Sequence, residues 1–394
     1  MNILCLCEKT DGSDGWSRYT GDLIKSLKAR GHTTYVLDRK SQIPKPLQML
    51  TRPFLAPFFA WRLQKIVNEL EIDIIHITVE PYALIVPFLP KRIQKKVVLT
   101  LHGSYAVRPL LMWQTRWLAY QYYKRIPRFI AVSHYTKKRV IEELEKKGKR
   151  NISSHIEQHA TVIHNGVNIR PFLPPLHIPP PCPPPMGEVL PPHFAKASRG
   201  KPGEGKVKTI IHVGGIKPIK GVLEALAGCA IYRDQYSANF HLSIIGRFDP
   251  HDAYVQKVRA RIADSRLENH VTLCGFVSES ELQQAYQNAD LLLLPSRTFR
   301  NTFEGFGLVF LEANAYGIPV IGPGDSGAKE AIKEGVSGYH VDPKNPEAVA
   351  EQMHRILDEK HIDYNACRRW AKEHSAEKMA GTTEKVYQSL RQGL

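Results

Sequence analysis

Short, almost continuously apolar runs alternate along the chain with longer runs whose apolar positions recur every three or four residues. In the first part the short runs are NILCLC, TTYVL, IDIIHIT, KVVLTL and FIAVS. Runs apolar on both faces predict the buried strands of a parallel sheet. Between them SRYTGDLIKSLKARGH, FFAWRLQKIVNELE and YTKKRVIEELEKKG carry the helical period. The alternation restarts at VKTIIHVGG. There follow a helix from about Val222, FHLSIIG, a helix from about Ala253, HVTLCGFV, SESELQQAYQNA, DLLLLPS, GFGLVFLEANAYG, IPVIG, AKEAIKEG and GYHVD. From about Pro346 the pattern is helical to the end. Two successive series of strand and helix predict an α/β protein of two doubly wound domains, which 394 residues accommodate.

Between the two series the composition changes. Twelve of the 28 prolines fall between Pro171 and Lys206, including the run PPPCPPP. Such density prevents a packed core or a regular helix and predicts an extended linker or insertion. The expected division is residues 1–170, a proline-rich segment 171–206, and a second domain 207–371.

Composition narrows the class. Hydrophobic residues make up 43% and charged residues 23%, ordinary for a globular protein. The most apolar stretch, IDIIHITVEPYALIVPFLP, is broken by His76, Glu80, Pro81 and Pro87, so no run reaches the ~20 residues of a membrane span. The opening MNILCLCEKTDG reads as a strand entering a loop and lacks a leader pattern. Six scattered cysteines show neither metal spacing nor a disulfide framework, which predicts a reducing cytoplasm. The net charge of +16 is uneven: residues 1–170 hold 28 Lys and Arg against 13 Asp and Glu, a balance of +15. That asymmetry points to an anionic partner, with nucleic acid, an anionic membrane surface and an acidic small substrate all open, against the plainer reading of a soluble basic surface.

In open α/β sheets ligands sit where strands end and helices begin. VGGIKPIKG follows a strand; its glycines permit close backbone approach, and Lys220 could meet a phosphate at the helix start. The spacing of a P-loop is missing. GPGDSG, Gly322 to Gly327, matches G-x-G-x-x-G literally. A dinucleotide reading is rejected there, because only GYHVD remains as a later strand.

RNTFEGFGLVFLEA, Arg300 to Ala313, sets Glu304 in the loop after LLLLPS and Glu312 in the second turn of the next helix, with Gly317 as its stop. The amides of Phe306, Gly307 and Leu308 form the first turn and are free to meet an anion. A ligand with phosphates at its centre and hydroxyls at both ends would use all three parts. An unpaired carboxylate in so apolar a helix would cost several kcal/mol, which favours a functional role for Glu312. His102 in TLHGS ends a strand of the first domain, and the loop DGSDGW, with Gly15, follows the first strand. There is no D-x-D triplet or His/carboxylate cluster, so no divalent ion is expected.

With these motifs the sequence resembles retaining glycosyltransferases of the GT-B fold, family 4, over nearly its whole length. FEGFGLVFLEANAYGIPVI, with its E-x7-E, is the most specific match; VGGIKPIKG, VIHNGVN, VTLCGFV and GVSGYHVDPKNPEAVAE follow in the family's order. The resemblance implies two Rossmann-like domains facing across a cleft, with the last helix, about 372–394, crossing back to the first. It implies a nucleotide sugar, UDP-glucose or a relative, on the second domain and an acceptor on the first. By the same resemblance Glu304 would hold the donor sugar's hydroxyls and Glu312 the ribose. Phe306, Gly307 and Leu308 would meet the sugar and diphosphate, Lys220 would bind the diphosphate, His102 would stand at the reacting centre, and Phe276 and Val277 would read the base. The family's usual arginine is replaced here by Gly215, so a diphosphate partner is missing unless Lys217 or Arg247 supplies it. RTFRN before Glu304 is also longer than usual. Implied, too, is front-face transfer without a protein nucleophile, the leaving diphosphate helping to remove the acceptor proton, and no metal.

The expected activity is therefore hexosyl transfer to a glycan or lipid-linked acceptor in cell-surface polysaccharide or glycolipid assembly. A non-catalytic nucleotide-sugar-binding protein, or a hydrolase or epimerase on the same fold, are the alternatives. Aromatic and basic residues interleave in TRPFLAPFFAWRLQKIV and VRPLLMWQTRWLAYQYYKRIPRF, which suits the headgroup level of a membrane. A cytoplasmic enzyme associated with an anionic membrane surface is the expected setting. Nucleic acid is disfavoured, since no recognised binding module is present.

Overall fold

A computed structural model describes residues 1–38, 40, 45–168 and 206–393. They form two compact units: Met1–Asn168 with Arg300–Leu308 and His374–Leu394, and Ile169–Phe299 with Val309–Glu373. The proline-rich stretch lies outside the described residues except for Lys206.

The first unit holds a six-stranded sheet in the order β2-β1-β3-β4-β5-β6. Its strands are β1 (Asn2–Leu6), β2 (Thr33–Leu37), β3 (Ile74–Ile77), β4 (Val97–Leu101), β5 (Arg128–Ala131) and β6 (Ala160–Val162). All pairings are parallel. Alternate residues of one strand enter opposite cores, as a two-residue period demands. Leu4 and Leu6 join the core under the Ala56–Glu69, Ser104–Leu111 and Trp113–Arg125 helices, whereas Ile3 and Cys5 join the core under the Gly15–Ala29 and Ala376–Gln392 helices. Those last two helices pack on each other. A capping box starts the first of them: the Asp14 carboxylate accepts from Ser17 N at 2.9 Å, and Ser17 Oγ accepts from Asp14 N.

The second unit is also built on a six-stranded sheet, in the order β12-β11-β10-β7-β8-β9. Its strands are β7 (Lys208–Val213), β8 (Phe240–Ile245), β9 (Val271–Gly275), β10 (Leu291–Leu293), β11 (Val320–Pro323) and β12 (Gly338–Val341), again parallel throughout. Each unit is a doubly wound, Rossmann-like layer, as the sequence pattern predicts.

Two differences from the sequence pattern have physical causes. AKEAIKEG forms only a short 3-10 turn, Gly327–Ala331. It stops because Ile332, extended and buried, reaches the space above Gly322, where an added Cβ would lie 2.6 Å from Ile332 Cδ1 and 2.7 Å from Phe310 Cζ. The Gly322 of GPGDSG therefore serves core packing. The Trp113–Arg125 helix was hidden because aromatic residues occupy its exposed face as well as its buried one. The three-residue β6 and the Arg150–His159 helix before it also escaped the pattern.

Candidate functional site

In the first unit the candidate site grows from the carboxyl end of β4. His102 follows the strand, and Gly103 adopts φ +87, where a side chain would be strained. A Cβ on Gly103 would lie 2.7 Å from Gly305 Cα, and one on Gly305 would lie 3.0 Å from Gly103 Cα. The two glycines thus let the chain segment around Glu304 cross the β4 loop in backbone contact. Side chains then fasten it. The Ser104 hydroxyl donates to the Phe303 carbonyl at 2.8 Å and accepts from the Phe303 amide at 2.7 Å. The Gly305 carbonyl accepts from Ser133 Oγ at 2.6 Å and from Thr136 Oγ1 at 3.2 Å. Phe306, 2% exposed, stacks on His164 with ring centroids 5.1 Å apart. Both neighbours of Glu304 are buried and anchored while Glu304 itself is half-buried. The glycine at 305 thus admits the protein's own backbone.

His102 stands over a buried polar layer. Its ring meets Tyr19 edge-on, with centroids 4.5 Å apart. Below, Tyr19 Oη and His76 Nε2 reach Thr100 Oγ1 at 3.1 and 2.6 Å, and His76 Nδ1 reaches Tyr387 Oη at 2.6 Å. Burial pushes the imidazole of His102 down to about 3, against a smaller upward effect of a hydrogen bond with the Thr78 backbone. The ring is therefore neutral near pH 7. Its Nε2 is buried with no hydrogen-bond partner among the described residues, an arrangement that ligands commonly satisfy. The His102 amide donates to Glu80 Oε1. Glu80 is fully buried, and burial raises its carboxyl to about 8.

The second unit gathers the other candidates at the ends of β7, β8 and β9. Lys220 closes a 3-10 turn, Pro218–Lys220, and its backbone carbonyl accepts from Nε2 of the buried His212 at 2.8 Å. Burial lowers His212 to about 4, so a neutral ring holds the turn. Gly221 follows at φ +67 beneath the Pro295 carbonyl, where a Cβ would come within 1.9 Å; no other residue fits. A Cβ on Gly215 would lie 3.9 Å from Lys217 Cε and 3.1 Å from the Arg247 carbonyl. The Arg247 guanidinium lies over the exposed Phe276 ring at 4.0 Å from its centroid, and Val277 beside it is buried. The unit therefore brings Gly215, Lys217 and Arg247 together, and Arg247 with Phe276.

Glu312 departs from expectation. It is half-buried, and it accepts from Tyr286 Oη at 3.0 Å. The argument from an unpaired carboxylate in a sealed core therefore fails at this position: the helix Leu308–Ala315 buries Leu308, Phe310, Leu311 and Ala313 and turns Glu312 toward Tyr286. Gly307, at φ +79, turns the chain into that helix. Gly15 begins the Gly15–Ala29 helix with open space where its side chain would be. Among the described residues no group of His, Cys, Asp or Glu could hold a metal ion, and no helix is long and apolar enough to cross a membrane.

Sequence reasoning did not foresee Ser104, Ser133, Thr136, His164, His212 or Glu80. Ser104 sits two residues from His102, and this proximity was its only signal.

Two family profiles match the chain. "Glycosyltransferase Family 4" covers residues 13–170 and "Glycosyl transferases group 1" covers residues 194–375. An uncharacterized glycosyltransferase of Methanocaldococcus jannaschii, MJ1607, is 30% identical over 46% of this chain and 44% of its own length. The GDP-mannose-dependent alpha-(1-6)-phosphatidylinositol monomannoside mannosyltransferase of Mycobacterium tuberculosis is 35% identical over 26% of this chain and 28% of its own length. These alignments span less than half of either relative. Among solved structures, Anabaena HepE in complex with UDP-glucose superposes with a TM-score of 0.67 at 18% identity, covering 99% of this chain and 100% of that one.

Proposed function

Because the chain belongs to glycosyltransferase family 4, as its two profile matches establish, we propose that it transfers a hexose from a nucleotide sugar to a glycan or lipid-linked acceptor, with retention at the anomeric carbon. UDP-glucose or a relative is the donor of this reading, and cell-surface polysaccharide or glycolipid assembly on the cytoplasmic side is its setting. The observation that carries the reading is the anchoring of Phe303 and Gly305 on either side of a half-buried Glu304, beside the partnerless Nε2 of His102. A carboxylate held this way is pre-positioned to accept hydrogen bonds from sugar hydroxyls.

In this account Lys220 and Lys217 meet the diphosphate, with the Phe306, Gly307 and Leu308 amides. Lys217 approaches the space that an arginine at Gly215 would enter, which supports it as the substitute cation. Glu312 accepts from the ribose, and Arg247, Phe276 and Val277 border the base. The bond from the anomeric carbon to the diphosphate oxygen breaks, and a bond to the acceptor oxygen forms on the same face. The acceptor proton goes to the departing diphosphate. His102 is neutral with so low a pKa that it is a poor proton acceptor, and its role is a hydrogen bond to the sugar. Charge on the leaving group is met by lysines and amides, so the reaction needs no divalent cation, and chelation with EDTA should leave the rate intact.

The test is a donor panel of UDP-, GDP- and ADP-hexoses with product analysis. Transfer with retained configuration supports the proposal, and free sugar released without an acceptor would favour a hydrolase. A second reading, a nucleotide-sugar-binding protein without turnover, draws on Gly215 and predicts tight UDP binding with no product.

A further inference from the structure

Lys220 ends a turn that its surroundings in the second unit grip from several sides. The Lys220 stem lies along Gly214, where an added Cβ would meet Lys220 Cδ at 3.4 Å and Cε at 3.6 Å. The side chain therefore runs back over the carboxyl end of β7. The His212 ring holds the Lys220 carbonyl at 2.8 Å. The Ile219 carbonyl accepts from the Arg297 amide at 2.8 Å, and the Pro295 carbonyl covers Gly221. The loop that leaves β10, Pro295 to Arg297, thus runs beside the Lys220 turn.

From that loop the Arg297 side chain turns to the helix that Lys220 leads into, Val222–Gln235. Its Nη1 donates to Glu224 Oε1 at 2.8 Å. The Glu224 side chain is 13% exposed and that of Arg297 39%, so water and salt screen the carboxylate only weakly. The other oxygen, Oε2, is buried with no hydrogen-bond partner among the described residues. Arg297 is therefore the cation that balances this carboxylate.

The place of Glu224 gives the pair a consequence. It is the third residue of the helix and lies in its first turn, four residues after Lys220. The amides of a first turn are the positive end of the helix dipole and stabilise a carboxylate there. The same end of a helix is where a phosphate is held. An unbalanced carboxylate at that place consumes the positive potential and repels a second anion. A guanidinium paired with it leaves the potential to the ligand.

We propose that Arg297 is a positioning residue for the donor's diphosphate: it neutralises Glu224 at the start of the Val222–Gln235 helix, so that the positive potential of this helix end and of Lys220 acts on the phosphates. Arg297 touches no phosphate in this account; it acts through Glu224. The inference rests on the transferase reading and deepens it, because part of that site's affinity for a diphosphate is assigned to an ion pair outside it.

The test is calorimetric titration of the full chain with UDP, GDP and ADP, carried forward with whichever binds the wild type most tightly. Arg297→Met keeps an unbranched stem and removes the charge. Glu224→Gln removes the opposing charge and keeps an oxygen for Arg297. Arg297→Met should bind the diphosphate about tenfold more weakly at low salt, with the gap narrowing as salt rises. Glu224→Gln alone should bind at least as tightly as the wild type. The double variant should return to within about threefold of the wild type. Arg297→Met and the double variant both lack the ion pair, so loss of packing or stability cannot produce that recovery, and melting curves of the two provide the control. Equal affinity of Arg297→Met and the double variant overturns the proposal, as does unchanged affinity in Arg297→Met or a Glu224→Gln variant weakened as much as Arg297→Met. A wild type that binds none of the three diphosphates overturns the transferase reading together with this inference, whereas wild-type binding without the recovery overturns this inference alone.

Discussion

The Ser104 hydroxyl is tied to Phe303 twice, donating to its carbonyl at 2.8 Å and accepting from its amide at 2.7 Å. One side chain thereby fixes both polar groups of the residue before Glu304. Ser104→Ala should remove the two bonds, at about 0.5–1.5 kcal/mol each, and lower the melting temperature by only a few degrees. The larger effect is expected in turnover, about tenfold or more, because small misplacements of a holding group are costly. Steady-state kinetics beside a melting curve checks this; a variant with normal kcat would show that Glu304 does not depend on the tie.

Gly103 and Gly305 touch through their backbones. Gly103→Ala adds a Cβ 2.7 Å from Gly305 Cα at a residue with φ +87. Strain of about 1–3 kcal/mol is expected from the backbone conformation alone, with the clash in addition. Denaturant melts should register that loss and activity should fall with it. Unchanged stability would mean that the segment around Glu304 can move aside freely.

Lys217 is tested from two directions. Lys217→Ala should weaken UDP binding about ten- to a hundredfold, the value of one charge-assisted phosphate contact of about 1.5–3 kcal/mol. Gly215→Arg on the wild-type background should change affinity little, but should restore it in Lys217→Ala. Calorimetric titration with UDP decides, and failure of the second change to rescue the first would remove Lys217 from the diphosphate.

Glu80 gives the stability a pH signature. Burial raises its carboxyl from 4.5 to about 8. A group whose folded pKa is raised contributes fully below its unfolded value and loses that contribution as pH climbs through the folded one. Glu80→Gln keeps an oxygen to accept from the His102 amide but cannot ionise. Its melting temperature relative to wild type should therefore rise between pH 5 and 8, a window bounded by the two values of Glu80. His76 and His102, both held near 3 by burial, favour the fold above 6.5 and lose that effect in acid, but they are present in both proteins and cancel. A flat difference across this range would show Glu80 to be ionised in the fold.

Much of the architecture was legible because buried parallel strands leave an unbroken apolar run, as VVLTL and LLLL do, and because the helices between them keep a clear period. Glu304 in a loop and Glu312 in a second turn follow from that frame. The fastening of Glu304 was not legible. Ser104, Ser133 and Thr136 are remote in sequence from Phe303 and Gly305, and a serine hydroxyl carries no mark of the carbonyl it will reach. The Trp113–Arg125 helix was obscured for a different reason, since aromatics on both faces erase the period. Glu312 misled because an apolar helix suggested a sealed carboxylate, whereas the fold turns it toward Tyr286.

The central claim is that Glu304 and its surroundings hold a nucleotide sugar for transfer. Release of nucleoside diphosphate from a panel of UDP-, GDP- and ADP-hexoses, measured for the wild type and for Glu304→Ala of matched melting temperature, tests it most directly. The account predicts release from at least one donor by the wild type, undiminished by EDTA, and loss of about a hundredfold or more in the variant. Release at an equal rate by Glu304→Ala, or strict dependence on an added divalent cation, would contradict it.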